Sequence, residues 1–225
     1  MSALAGLAMF LFLVGVSGCG KPKPVPVSKS APDFHTLFRT NCSGCHGNDG
    51  KDGPGRPLND PFYLALIPKD ALENTIEHGR PGTAMPAFAE SDGGPLNPDD
   101  INALVSGIER EWAKPVNLGG MTPPPYRATN ETGDPVAGKQ LFSRDCFACH
   151  GSGAPIGPVT DAAYLSLVSD QWLRSSIIAG RQDRGMPDWR RLNMGRALSN
   201  PDINNLVAYL VSLRPMGGIN KRETQ

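Results

Sequence analysis

Cys42-Ser43-Gly44-Cys45-His46 and Cys146-Phe147-Ala148-Cys149-His150 are the two stretches from which the rest of the chain can be read, and they hold four of its five cysteines. Two thiols three positions apart on one helical turn can reach the two vinyl groups on one edge of a porphyrin. The histidine that follows then lies under the iron and can bind it from the proximal side. C-x-x-C-H is therefore the arrangement of c-type haem attachment. A structural zinc site would need four nitrogen or sulfur ligands, so either motif would have to borrow from the other. A thioredoxin-like redox pair would want a βαβ pattern around it, and none is visible. Two disulfides would not explain a histidine after both pairs. The cysteines thus point to two covalently bound haem c groups, held by Cys42, Cys45, Cys146 and Cys149, with His46 and His150 as proximal iron ligands.

Outward from the motifs the chain repeats itself. Leu37-Phe38 matches Leu141-Phe142, and His46-Gly47 matches His150-Gly151. Pro57, Asp60, Tyr63 and Leu64 match Pro158, Asp161, Tyr164 and Leu165; Gly79-Arg80 matches Gly180-Arg181; Met85-Pro86 matches Met186-Pro187. Asp100-Ile101-Asn102 with Leu104-Val105 matches Asp202-Ile203-Asn204 with Leu206-Val207. So many matches in one order describe one small domain duplicated. Between the copies, Gly119-Gly120 and Pro123-Pro124-Pro125 mark a linker stiffened in part by polyproline conformation.

Each copy reads as helical. Asn97-Pro98 and Asn200-Pro201 place an N-cap residue before a proline at the first helical position. The helices they open carry Ile101, Leu104, Val105 and Ile108, and Ile203, Leu206, Val207 and Leu210, the spacing of an amphipathic stripe. Asp70 with Glu73 suggests a capping box for a helix reaching His78, and Asp134-Pro135 opens another that runs to Cys146. No alternating strand pattern appears. A domain of some 80 residues is marginal by itself, and a buried haem would supply the missing apolar mass.

A haem iron that only carries electrons needs a sixth ligand. Met85, in Gly82-Thr83-Ala84-Met85-Pro86, and Met186, in Arg184-Gly185-Met186-Pro187, occupy matching positions in polar, Gly-rich loops. Their thioethers favour reduced iron and raise its potential. Met194 and Met216 are alternatives in the second copy, but neither has a counterpart in the first. His35 and His78 match Lys139 and Ala179 and read as surface groups.

The run of C-x-x-C-H, Pro, Gly-Arg, Met-Pro and a capped terminal helix resembles the class I cytochrome c domain, over about residues 31–112 and 134–214. It is most similar to the bacterial type found as single- or double-domain electron carriers and as cytochrome subunits of respiratory complexes. The resemblance implies an all-α fold of two tandem class I cytochrome c domains, each a few short helices wrapped around a covalent haem. It further implies that the carbonyl of Pro57 or Pro158 accepts a hydrogen bond from the proximal histidine's other nitrogen, a contact that orients the ring and tunes the iron. The family's Gly-Pro is kept at Gly157-Pro158, while the first copy reads Arg56-Pro57. Arg80 and Arg181 stand either as helix C-terminal cations or as partners of a haem propionate.

The expected function is single-electron transfer between respiratory partners: a quinol-oxidising complex or dehydrogenase as donor, a terminal oxidase or another cytochrome as acceptor. No catalytic constellation is evident. The alternative is a haem enzyme, a dihaem peroxidase or thiosulfate-oxidising cytochrome, which would need one exchangeable iron ligand. Lys plus Arg equals Asp plus Glu, 22 each, so the total charge does not point to nucleic acid. The charge is nevertheless divided: Gly20 to Lys114 holds 10 basic and 13 acidic residues, and Pro115 onward 12 and 9. Arg181, Arg184, Arg190, Arg191 and Arg196 gather around Met186, and around an exposed haem edge they would steer an acidic partner.

Ala3 to Val16 is almost wholly apolar and ends in Val16-Ser17-Gly18-Cys19, which resembles a bacterial lipobox. So short a run is a signal-peptide core rather than a membrane span. An ordinary signal peptide with an incidental cysteine is the other reading. The expected organisation is a lipoprotein signal peptide over 1–19 with lipidation at Cys19, a flexible tether over 20–30, a first domain over 31–114, a linker over 115–133 and a second domain over 134–225. Such a protein would be exported and lipid-anchored to a membrane, facing the periplasm or cell exterior.

Overall fold

The computed structural model describes residues 33–129, 131–154, 156–190 and 196–215. The first copy opens at Asp33, whose carboxylate accepts the Thr36 amide and starts α1 (Phe34–Asn41). The chain passes through Cys42 into the single turn α2 (Ser43–His46). A long loop follows, closed by Asp60, whose Oδ1 accepts the amides of Phe62 and Tyr63 at the start of α3 (Pro61–Leu66). Then come α4 (Lys69–His78) and α5 (Pro98–Trp112), the latter opened by a reciprocal capping box between Asn97 and Asp100. A side-chain cap of this kind is worth roughly 1 kcal/mol.

The second copy repeats the series: α6 (Pro135–Asp145), α7 (Phe147–His150), α8 (Ala162–Leu167), α9 (Asp170–Ala179) and α10 (Asn200–Ser212). Among the described residues there is no strand, only the isolated bridges Ala89–Leu96 and Arg181–Met186. Nor is any helix among them long and apolar enough to cross a membrane.

Two cap expectations are corrected. Pro68, not Asp70, is the N-cap of α4 and, having no side-chain acceptor, makes no side-chain cap bond, while Asp70 accepts Arg127 Nη2 at 2.7 Å. At α10 the cap is Ser199, paired reciprocally with Asp202. Asn200, one position inside, turns to the guanidinium of Arg174.

The terminal helices of each copy cross: α5 packs on α1 and α4, and α10 on α6 and α9. Ile101, Leu104, Val105 and Ile108 are buried, as are Ile203, Leu206 and Leu210. Fully burying such a side chain contributes roughly 1.5–3 kcal/mol. Each crossing is made close by one glycine, and the two copies place it on opposite helices. In the first, a Cβ on Gly107 of α5 would stand 2.2 Å from the Phe34 ring of α1. In the second, a Cβ on Gly138 of α6 would stand 1.9 Å from the Asn205 carbonyl oxygen and 2.8 Å from the Tyr209 Cβ of α10.

The copies are packed together, with the described residues in one unit. α3 of the first lies against α9 of the second, and Phe62 meets Trp189 with ring centroids 5.4 Å apart. The linker takes part. Tyr126 is buried, its hydroxyl accepts Arg80 Nη2 at 3.0 Å, and its carbonyl accepts Gln171 Nε2 at 2.8 Å. Arg174, 2% exposed, donates to the carbonyls of Pro125 and Tyr126 and to Asn204 Oδ1. A segment with few apolar residues thus becomes an interface through its backbone carbonyls and one tyrosine.

Candidate functional site

In the first copy Cys42 ends α1 and caps α2, and its carbonyl accepts the amides of Cys45 at 3.2 Å and His46 at 3.0 Å. One tight turn therefore carries both thiols and the imidazole. Cys42 is half-buried, Cys45 exposed, and both are free thiols. Burial, with the neighbouring Cys45, pushes the Cys42 thiol up to about 12. Burial also holds the His46 pKa below its ordinary value, opposed by the bond to the Arg56 carbonyl, and this favours the neutral ring.

His46 Nδ1 lies 2.7 Å from the Arg56 carbonyl oxygen. A carbonyl only accepts, so Nδ1 carries the proton and the Nε2 lone pair is left for a metal. The acceptor is thus Arg56 rather than the expected Pro57. The reason is local: the Gly55 amide donates to the Cys45 carbonyl at 2.8 Å, drawing the loop onto α2 one residue early. A Cβ on Gly55 would stand 2.9 Å from that oxygen and 3.1 Å from His46 Cε1, so this approach requires a glycine.

The second copy repeats the turn, with the Cys149 and His150 amides donating to the Cys146 carbonyl at 3.2 and 2.9 Å. Burial, then Asp145 and Cys149, pushes the Cys146 thiol up to about 12. The histidine differs. His150 Nδ1 is buried and finds no hydrogen-bond partner among the described residues. The expected acceptor, Pro158, is engaged elsewhere, its carbonyl accepting the Asp161 amide at 3.3 Å. At the position of Arg56 stands Gly157 with φ +88°, a backbone that an arginine would adopt only under strain.

The methionine loops are alike. Arg80 N–H donates to the Met85 carbonyl at 2.9 Å, and Arg181 N–H to the Met186 carbonyl at 3.0 Å. Gly79 and Gly180 start them at φ 65° and 72°, and a Cβ on either would stand 2.6 Å or less from the Met-Pro backbone. Both methionines are half-buried. Met194, Met216, Arg191 and the expected lipidation site Cys19 lie outside the described residues. Arg80 is held by Tyr126 and Thr75, while Arg181 forms a two-pronged pair with Asp183 at 2.9 and 2.8 Å. The basic run around Met186 is matched by carboxylates: Arg184 by Asp183, Arg190 by Asp188, Arg196 by Asp202. His35 and His78 are exposed and pair with Glu111 and Asp92.

Sequence reasoning missed the side chain of Arg56, which is 4% exposed and lies between the copies. The Arg56-Pro57 against Gly157-Pro158 mismatch was its signal, read as a departure from a pattern. It missed also Tyr126 and Arg174, whose partners lie across the linker.

The model of the family described as cytochrome c oxidase, cbb3-type, subunit III matches residues 30–106 and 133–210, one match on each copy. The chain belongs to this family. Among cbb3-type subunit III relatives, a cbb3-type cytochrome c oxidase subunit FixPc of Rhizobium leguminosarum bv. viciae is 31% identical over 198 residues, covering 79% of this chain and 59% of the relative. The CcoP subunit of Rhodobacter capsulatus is 26% identical over 193 residues, covering 79% and 60%. The chain therefore spans about three fifths of the length of these relatives. A Kuenenia stuttgartiensis reducing HAO-like protein complex is similar at 19% identity and a TM-score of 0.47, over 81% of this chain and 96% of that one.

As a cbb3-type subunit III chain, the protein carries two covalent haem c groups, and its residues fit them. Each copy offers two free thiols and a histidine on one turn. Among the described residues no group of three or more His, Cys, Asp and Glu is placed to hold a bare metal ion.

Proposed function

We propose that the protein transfers single electrons between respiratory-chain partners through two haems ligated by His46 with Met85 and by His150 with Met186. It acts as an electron-transfer subunit of an oxidoreductase complex rather than as an enzyme. The observation that carries this reading is the repeated pairing of a C-x-x-C-H turn with a glycine-hinged Met-Pro loop. The haem groups supply the one-electron chemistry between ferrous and ferric iron. The chain's residues do the rest: Cys42 and Cys45, or Cys146 and Cys149, fix the porphyrin by two bonds. His46 and Met85, or His150 and Met186, would hold the iron and leave no place on it for a substrate, and a thioether would favour its reduced state. Arg80 and Arg181, each beside a methionine loop, stand as helix C-terminal cations or as partners of a haem propionate.

The donor is a quinol-oxidising complex or a dehydrogenase, and the acceptor a terminal oxidase or another cytochrome. Membership of an oxidase-subunit family supports these partners. The apolar run before Cys19 and the Lys- and Pro-rich tether after it support export and a lipid anchor on the periplasmic or outer face of a membrane. The function is tested on purified holoprotein by mixing the fully reduced form with carbon monoxide. The expected result is no spectral change at either haem and rapid one-electron oxidation of both by an oxidised cytochrome. Carbon monoxide binding at one haem would instead favour a haem enzyme with an exchangeable ligand.

A further inference from the structure

Arg56 touches both copies. Its carbonyl accepts His46 Nδ1–H at 2.7 Å, while its side chain, 120 residues away in sequence from its partners, reaches the end of α9. Nη1 donates to Ser176 Oγ at 3.2 Å, and Nη2 to the carbonyls of Ser175 at 3.4 Å and Gly180 at 3.3 Å. The guanidinium lies 4.2 Å over the Tyr63 ring centroid and 6.0 Å from that of Trp172. A cation belongs at the carbonyl end of a helix, and this one is the fixed charge at the end of α9. Gly180 leads straight into the Met186 loop, where Arg181 and Met186 exchange backbone hydrogen bonds at 3.0 Å in both directions. From His46 of the first site to the Met186 loop of the second there is thus a continuous path of covalent bonds and hydrogen bonds, those of the guanidinium being 3.2–3.4 Å long.

We propose that Arg56 is a positioning residue that couples the two haem sites. Its carbonyl orients His46, its guanidinium holds the Met186 loop through Gly180, and its buried charge acts on both irons. An electron passing between the sites oxidises one iron from ferrous to ferric and reduces the other from ferric to ferrous, with no proton moved and no bond broken. The second copy has no equivalent, because Gly157 has no side chain to reach back. The link between the sites is therefore made from the first copy alone. It rests on the reading of Met186 as an iron ligand.

The test uses full-length holoprotein with Arg56→Gln, Arg56→Lys and Ser176→Ala, following the midpoint potential of each haem and the methionine–iron charge-transfer band. Loss of the buried charge in R56Q disfavours ferrous iron. We expect the ferrous-to-ferric ratio at fixed potential to fall at least threefold at both sites, about 30 mV at 59 mV per tenfold, with a weaker methionine band at the second. R56K keeps the charge without the planar fork, so it restores the potentials more than the band. S176A moves the second site's potential the same way by less. A folded R56Q with both haems that alters the first site alone would overturn the coupling. If R56Q does not fold, S176A decides, and unchanged second-site readouts overturn it. A wild-type second site without a methionine band contradicts the ligand assignment, while the potentials still judge Arg56.

Discussion

The two copies share a plan and differ at the back of the proximal histidine. His46 is tied to a carbonyl, whereas His150 buries its Nδ1 without a partner among the described residues. The helix crossings show the opposite lesson. Phe34 faces Gly107 in the first copy, and Gly138 faces Tyr209 in the second, so large and small residues have changed places while the closeness of approach is kept. Packing tolerates such an exchange when total volume and pattern are kept. Histidine orientation does not, because a hydrogen bond needs its acceptor at one place. Duplication has thus kept the scaffold and let the histidine environments diverge.

The comparison can be broken most sharply by removing one attachment site. Cys42→Ala with Cys45→Ala should leave one covalent haem per chain, seen as the loss of one haem mass by mass spectrometry, with the second copy still loaded. Loss of both haems would mean that the copies do not load independently. A smaller effect is expected at the crossings. Gly138→Ala drives a methyl group into the Asn205 backbone, and Gly107→Ala into a side-chain ring. Overpacking costs typically about 1–3 kcal/mol. Denaturant unfolding of the holoprotein should place G138A at or above the top of that range and G107A below it, since a ring can turn and a backbone carbonyl cannot.

Smaller still is the difference at the histidines. In the reduced protein, NMR should show the His46 Nδ1 proton exchanging with solvent more slowly than that of His150. The reverse order would contradict the hydrogen-bond asymmetry. The smallest effect lies on the surface. The Asp92 carboxylate raises the pKa of His78 above 6.5, and His78 lowers that of Asp92 below 3.8. A raised histidine contributes stability that is present below 6.5 and lost as pH rises through the folded value. The Asp92 share is present above 3.8 and lost as pH falls through its own folded value. Asp92→Asn should lower the His78 titration, followed by NMR, while Glu77 at 3.7 Å still raises it.

Much of this was legible in the chain. The C-x-x-C-H turns, the duplication, the Asn97 cap, the Asp134 start of α6 and the apolar stripes of α5 and α10 depend on neighbours within a turn or two, and spacing reports these. Asp70 and Asn200 were misread because the partners that claim them, Arg127 and Arg174, are remote in sequence. The same holds for the Arg56 side chain and for Tyr126. Local patterns name the residues that can hold a haem, while tertiary contacts decide which carbonyl a histidine finds. Pro57 was one residue from the acceptor because only the fold shows how far Gly55 draws the loop inward.

The central claim is that each copy is a histidine- and methionine-ligated haem domain. It is tested most directly by the oxidised spectrum of Met85→Ala and Met186→Ala compared with the unaltered protein. Each single substitution should remove about half of the methionine–iron charge-transfer band, and the double substitution all of it, with both haems still covalently attached. A band that survives intact in either single variant would mean that another residue ligates that iron, and the account of that copy would be wrong.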